Sequence, residues 1–124
     1  MEEFKRFRER MNERILGSGN LQIQRFFNLD TRAYEAGALS SKVKELLGLV
    51  ASLVLRCDDC VTYHVLRCVK QKVSDEEFFE ASNVALVVGG SITIPHLRRA
   101  VKRLEEARGV RKRKRANARL TRSS

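Results

Sequence analysis

An all-α fold is what this sequence predicts, and three observations carry the expectation. Apolar residues recur at spacings of three and four along most of the chain, the period of a helix with one buried face. Proline occurs once, at Pro95, so few segments are barred from helix. Ser74-Asp75-Glu76-Glu77 spells a capping box, in which the serine and the glutamate three residues on each bond the other's backbone N–H.

The elements follow in order. Phe4, Phe7, Met11 and Ile15 define an amphipathic helix over 3–16, stopped by Gly17-Ser18-Gly19. A less regular segment runs from Leu21 to Ala36 and closes at Gly37. Ser40-Ser41 offers an N-cap for a strongly apolar stretch (Val43, Leu46, Leu47, Val50, Leu53, Val54), a buried helix running to about Arg56. Beyond Cys57, Val61, Val65, Cys68 and Val69 fall on related faces of another helix. The capping box opens a further one through Phe78, Ala81, Ala85 and Val88, interrupted at Gly89-Gly90. Propensity alone would read 84–88 and 91–94 as strands, but the helical period continues out of the capping box into the first of them. Leu97, Ala100, Val101 and Leu104 mark a last helix ending near Gly109. The organisation expected is an N-terminal helix over 1–20, a helical core over 21–108, and a basic tail over 109–124, disordered when free.

The chain of 124 residues suits one domain with a modest core, to which oligomerisation would add. It has 25 basic and 15 acidic residues. Seven of the basic residues and none of the acidic ones fall after Gly109, so the remainder holds 18 against 15, a net charge of +3. The high isoelectric point therefore belongs to the tail. Arg111 to Arg122 could neutralise phosphates of a nucleic acid, but no aromatic side chain is interleaved there to stack on bases, and a solvated tail is the favoured reading. The N-terminus is charged and lacks the apolar stretch of a secretory signal, and the longest apolar run, 46–55, is shorter than the roughly 20 residues that span a bilayer. No membrane role and a cytoplasmic location are expected. There thiols are kept reduced, and Cys57, Cys60 and Cys68 are not expected to be structural staples.

The informative stretch is Arg56-Cys57-Asp58-Asp59-Cys60-Val61-Thr62-Tyr63-His64. On a helix, Cys57 and Cys60 stand at i and i+3, and Cys60 and His64 at i and i+4, which aligns all three on one stripe. Two thiols so placed can pass between dithiol and disulfide, and a helix beginning near Cys57 would favour thiolate there. His64 could exchange a proton with a thiol or a leaving oxygen, or be a core histidine. Asp58 and Asp59 suit a helix start but oppose thiolate formation. Zinc is the rival occupant, with Cys57, Cys60, His64 and Cys68 as ligands. Four ligands strung along one helix converge poorly on a tetrahedron, so no metal and no cofactor are expected. Cys68 reads as a small buried apolar residue. Glu45 interrupts an apolar face and, taken alone, reads as a solvated or ion-paired glutamate.

Taken together, residues 39–105 resemble the alkylhydroperoxidase D-like branch of the carboxymuconolactone decarboxylase family. The resemblance rests on Glu45, on Cys57-x-x-Cys60-x-x-x-His64 beginning twelve residues later, on the helix opened by Ser74 to Glu77, and on the stretch Gly89 to Ala100. It implies an all-α bundle assembled as homotrimers or homohexamers, and reduction of a hydroperoxide by the cysteine pair. In that scheme Cys60 attacks the peroxide, Cys57 resolves the sulfenic acid as a disulfide, and His64 and Glu45 form the proton relay. A dithiol donor, a protein or a lipoyl group, then reduces the pair. The familiar peroxidases of the group carry histidine where this chain has Asp59, and the decarboxylase branch lacks the cysteine pair. A general dithiol–disulfide oxidoreductase is the alternative. On one straight helix Glu45 and Cys57 would lie roughly 18 Å apart. A relay therefore requires a helix break between Leu53 and Asp58.

Overall fold

The computed structural model describes residues 1–109, and among these every regular element is helical. The helices are α1 (Glu2–Leu16), α2 (Leu21–Ala33), α3 (Ser41–Leu55), α4 (Asp58–Lys70), α5 (Asp75–Gly89) and α6 (Ile94–Ala107), with a short 3-10 turn, Ser91–Thr93, between the last two. The β-branched stretches at 84–88 and 91–94 are thus helix and 3-10 turn, in line with the helical period and against residue propensity. The basic tail, including the candidate nucleic-acid segment 111–122, lies outside the described residues apart from Gly109.

Two compact units divide the chain after Ser41. In the first unit, α1 and α2 pack on each other and bury no residue fully. The Asn20 side chain caps α2 by accepting the Ile23 N–H at 3.1 Å. The second helix stops at Ala33, short of Gly37, because the apolar period that would hold it fades after Leu29.

The second unit holds the core, in which Leu49, Leu53, Val61, Val65, Val73, Phe78, Ala85, Ala100 and Leu104 are buried together with Cys68. Each fully buried Leu, Val or Phe contributes about 1.5–3 kcal/mol relative to exposure. The capping box of α5 is complete. Ser74 Oγ accepts the Glu77 N–H at 3.1 Å, and Glu77 Oε1 accepts the Ser74 N–H at 2.9 Å. Lys42 of α3 reaches the same glutamate at 2.8 Å. Its ammonium, with the Ser74 N–H, holds the Glu77 carboxyl below its ordinary value. At the same end of α5, Arg108 binds both the Asp75 carboxylate and the Val73 carbonyl, tying the end of α6 to the start of α5. Helices α4 and α6 share the most extensive helix–helix packing.

The expected break is present. Helix α3 ends at Leu55, Arg56 takes a left-handed φ of 58°, and extended Cys57 (φ −97°, ψ 97°) starts α4. A non-glycine residue in that region carries strain of the order of 1 kcal/mol. It turns the chain so that α3 and α4 are separate helices, able to face each other rather than continue in line.

Candidate active site

The amino end of α4 carries the two cysteines. Cys57 and Cys60 are joined by a disulfide, with Cα atoms 5.3 Å apart, within the span such bonds need. Cys57 is also the N-cap of α4: its sulfur accepts the Cys60 N–H at 3.3 Å. A thiolate at that position would receive both this hydrogen bond and the positive end of the helix. The acidic pair expected to cap the helix lies instead within its first turn, and the cap atom is the cysteine sulfur itself. Cys57 is partly exposed and Cys60 is exposed, open to a solution substrate.

One turn past Cys60, His64 turns inward and is 8% exposed. Its Nδ1 lies 3.1 Å from Oε2 of Glu45, nineteen residues earlier on α3. The other carboxylate oxygen of Glu45 accepts from Arg67 Nε at 3.4 Å. Glu45 is 1% exposed, and a carboxylate so deep is tenable because each oxygen has a partner. With the carboxylate accepting, Nδ1 donates and Nε2 remains as the nitrogen that exchanges protons. The ring is also braced by the edge of Tyr63, with centroids 5.1 Å apart.

Glu45, expected from its own sequence context to be solvated or ion-paired, is therefore a buried partner of the histidine. Two residues here escaped the sequence reading. Arg67 sits three residues beyond His64, one turn on along α4, and that spacing was its only signal. Gly48 lies on α3 beside the ring: a Cβ built there would stand 2.4 Å from Cε1, 2.7 Å from Nδ1 and 2.8 Å from Nε2 of His64. Only glycine leaves room for the imidazole. A lone glycine inside an apolar helix, three residues after Glu45, is the pattern that marks such a close approach.

Cys68 lies in the core on α4 and is fully buried. Burial, assisted by the Glu45 charge and opposed by Arg108, pushes its thiol up to about 12. It stays protonated and plays no part in exchange at neutral pH. Among the described residues, no group of three or more His, Cys, Asp or Glu side chains is arranged to hold a metal ion. None of the described helices is long and apolar enough to cross a membrane.

A family model described as the carboxymuconolactone decarboxylase family matches residues 23–103. The chain belongs to the carboxymuconolactone decarboxylase family. Within that family it is similar to TM1620 of Thermotoga maritima. One crystal structure of that protein shares 57% identity at a TM-score of 0.86, covering 91% of this chain and 99% of the other. A second gives 58% identity and a TM-score of 0.83, covering 90% and 94%. Involvement of TM1620 in an antioxidative response has been suggested. A family member from Legionella pneumophila shares the fold at 23% identity, with a TM-score of 0.75 over 86% of this chain and 98% of its own. An uncharacterised protein of Cupriavidus necator is 29% identical over 58 residues, a match spanning 47% of this chain and about half (51%) of that protein. The all-α expectation and the family resemblance both hold.

Proposed function

We propose that this protein is a thiol-dependent hydroperoxide reductase whose working groups are Cys60, Cys57, His64 and Glu45. The observation that carries the reading is the Glu45–His64 hydrogen bond, which joins a buried carboxylate on α3 to a histidine one turn beyond a cysteine pair on α4. Paired thiols supply the attacking and resolving sulfurs that peroxide reduction through a disulfide requires, and an imidazole oriented by a buried carboxylate can carry the protons.

In the reduced protein, His64 Nε2 accepts the Cys60 proton and the thiolate attacks one oxygen of the hydroperoxide. The O–O bond breaks and the S–O bond forms. The departing alkoxide takes a proton from the imidazolium and leaves as an alcohol, with Cys60 oxidised to the sulfenic acid. The Cys57 sulfur then attacks Sγ of Cys60, releasing water and closing the disulfide. A dithiol donor restores both thiols by two exchanges and departs as its own disulfide. Glu45 keeps the imidazole in one tautomer and stabilises it when it is positively charged. The exposure of Cys60 supports its assignment as the attacking thiol, with Cys57 resolving. Side chains such as Leu55, Val84, Val87 and Val88 are exposed, which supports a homotrimer or homohexamer as the working form.

The test is hydroperoxide consumption with dithiothreitol as donor, for the native protein and for Cys60→Ser and Cys57→Ser. Native turnover is expected, with Cys60→Ser failing even a single turnover and Cys57→Ser completing one but not cycling. A native protein that forms the disulfide yet consumes no hydroperoxide would instead be a general dithiol–disulfide oxidoreductase.

A further inference from the structure

The charges at the amino end of α4 pose a problem for the cysteine pair. Asp58 adjoins Cys57 and Asp59 adjoins Cys60, and a carboxylate next to a sulfur disfavours the thiolate. The helix end acts in the opposite sense but is equivalent to only about half an elementary charge. Two uncompensated aspartates would outweigh it.

Helix α6 answers one of them. His96 Nδ1 lies 2.8 Å from Asp58 Oδ1, and Arg99 NH1 lies 3.4 Å from Asp58 Oδ2. The two partners stand three residues apart in the first turns of α6, on one face of it, and so reach the carboxylate together. Pro95, just before His96, sits at the start of the helix, where its missing N–H costs nothing. The His96 side chain is only 17% exposed although Asp58 is 47% exposed, so the histidine is fixed in place by the packing of α6 on α4. The charged and titratable groups at this end include Asp58 and Asp59 on α4, Arg56 in the preceding link, and His96 and Arg99 from α6.

We infer that His96 and Arg99 are positioning residues for the Cys57–Cys60 couple: by binding Asp58 they offset the carboxylate nearest Cys57 and pin the amino end of α4, leaving the helix end to favour the thiolate. Arg99 supplies the positive charge and His96 a directional hydrogen bond. The consequence is a couple poised as a stronger oxidant than its acidic flanks would allow, because favouring the thiolate favours the reduced form. The inference rests on the reading of Cys57 and Cys60 as a working redox pair, but it does not depend on which oxidant they meet.

The experiment is the thiol–disulfide equilibrium of the purified protein against reduced and oxidised glutathione, together with the pH profile of iodoacetamide alkylation of the reduced pair. It is run on the native protein, on His96→Asn/Arg99→Gln, on Asp58→Asn, and on all three changes combined. The double substitution should shift the equilibrium about three- to tenfold toward disulfide and move the alkylation profile to higher pH, the lower figure reflecting solvent screening at a half-exposed carboxylate. Half a molar salt should shrink the shift. In the Asp58→Asn background the same double substitution should have less than half that effect. Arg99→Lys, which keeps the charge, should stay within twofold of native and serves if the double variant folds poorly by circular dichroism, with Arg99→Gln alone as its charge-removing counterpart. An unmoved equilibrium and profile, or an effect of equal size without Asp58, would overturn the clamp. A native pair that never equilibrates with glutathione would instead remove the redox reading, and the clamp with it.

Discussion

Replacing Gly48 by alanine puts the proposed relay to its sharpest test, because the smallest possible side chain lands on the His64 imidazole. The added methyl would stand 2.4 Å from His64 Cε1. Carbon contacts are comfortable at about 3.5–4.0 Å, so the ring must retreat by about 1 Å. It has little freedom to do so: it is buried, and its Nδ1 is held at 3.1 Å by Glu45. Retreat breaks that bond and leaves a buried carboxylate oxygen without its partner, at a cost of about 1–3 kcal/mol. Alanine returns about 1 kcal/mol through its better helix propensity. The expected net effect is a loss of roughly 0–2 kcal/mol in stability, against a fall of about 10²-fold in turnover from the misplaced imidazole. The two effects separate in a His64→Ala background. With the ring gone the methyl has space, and Gly48→Ala should there stabilise by about 1 kcal/mol. Urea unfolding of the four proteins, with peroxide turnover for those that retain His64, measures both. Full turnover in Gly48→Ala, or the same stability change in both backgrounds, would refute the close approach as the reason for this glycine.

Other outcomes follow from the same geometry. Glu45→Gln keeps the volume but loses the carboxylate, and turnover should fall roughly 10²-fold while the Cys57–Cys60 disulfide still forms on mild oxidation, as read by non-reducing peptide mapping. Reduced protein at neutral pH should take up iodoacetamide at Cys57 and Cys60 and at Cys68 only after unfolding, since the Cys68 thiol is buried and pushed up to about 12; rapid modification of all three in the folded state would contradict that. For Glu77, whose carboxyl is held below its ordinary 4.5 by Lys42 and the Ser74 N–H, the stabilisation is present above that value and is lost as pH falls through the lower, folded-state one. The stability difference between native protein and Glu77→Gln, followed by thermal unfolding, should therefore be constant near neutrality and shrink below about pH 4.5.

Much of the fold was legible because the signals were local. The capping box at Ser74, the period through α3 and α4, and the stop at Gly89-Gly90 are each contained within a few residues, and each marks a helix end or face in the structure. The break at Arg56 was legible for a different reason: the resemblance demanded that Glu45 and the cysteines meet, and helix rise forbade it along one axis. What the sequence hid is relational. Nothing near Asp58 in the chain points to His96 and Arg99, thirty-eight and forty-one residues away. Nothing near Arg67 in the chain points to Glu45, twenty-two residues earlier on another helix. The pairing of α1 with α2 is relational in the same way, since nothing within either helix names its partner.

The same distinction divides the chemistry. Disulfide exchange depends on the first turn of α4, where Cys57 caps the helix that carries Cys60, and this arrangement is encoded within four residues. The proton relay proposed above depends on the register of α3 against α4, which no short stretch encodes: it requires the left-handed turn at Arg56, the space left by Gly48 and two partners on Glu45. A redox pair can therefore persist in a protein whose relay has been lost, whereas the relay has no use without the pair. Substitutions on α3 should act on turnover but not on potential, and those at the start of α4, or at His96 and Arg99 that bind it, on turnover and potential together, so that measuring both tells a defect of the relay from a defect of the pair.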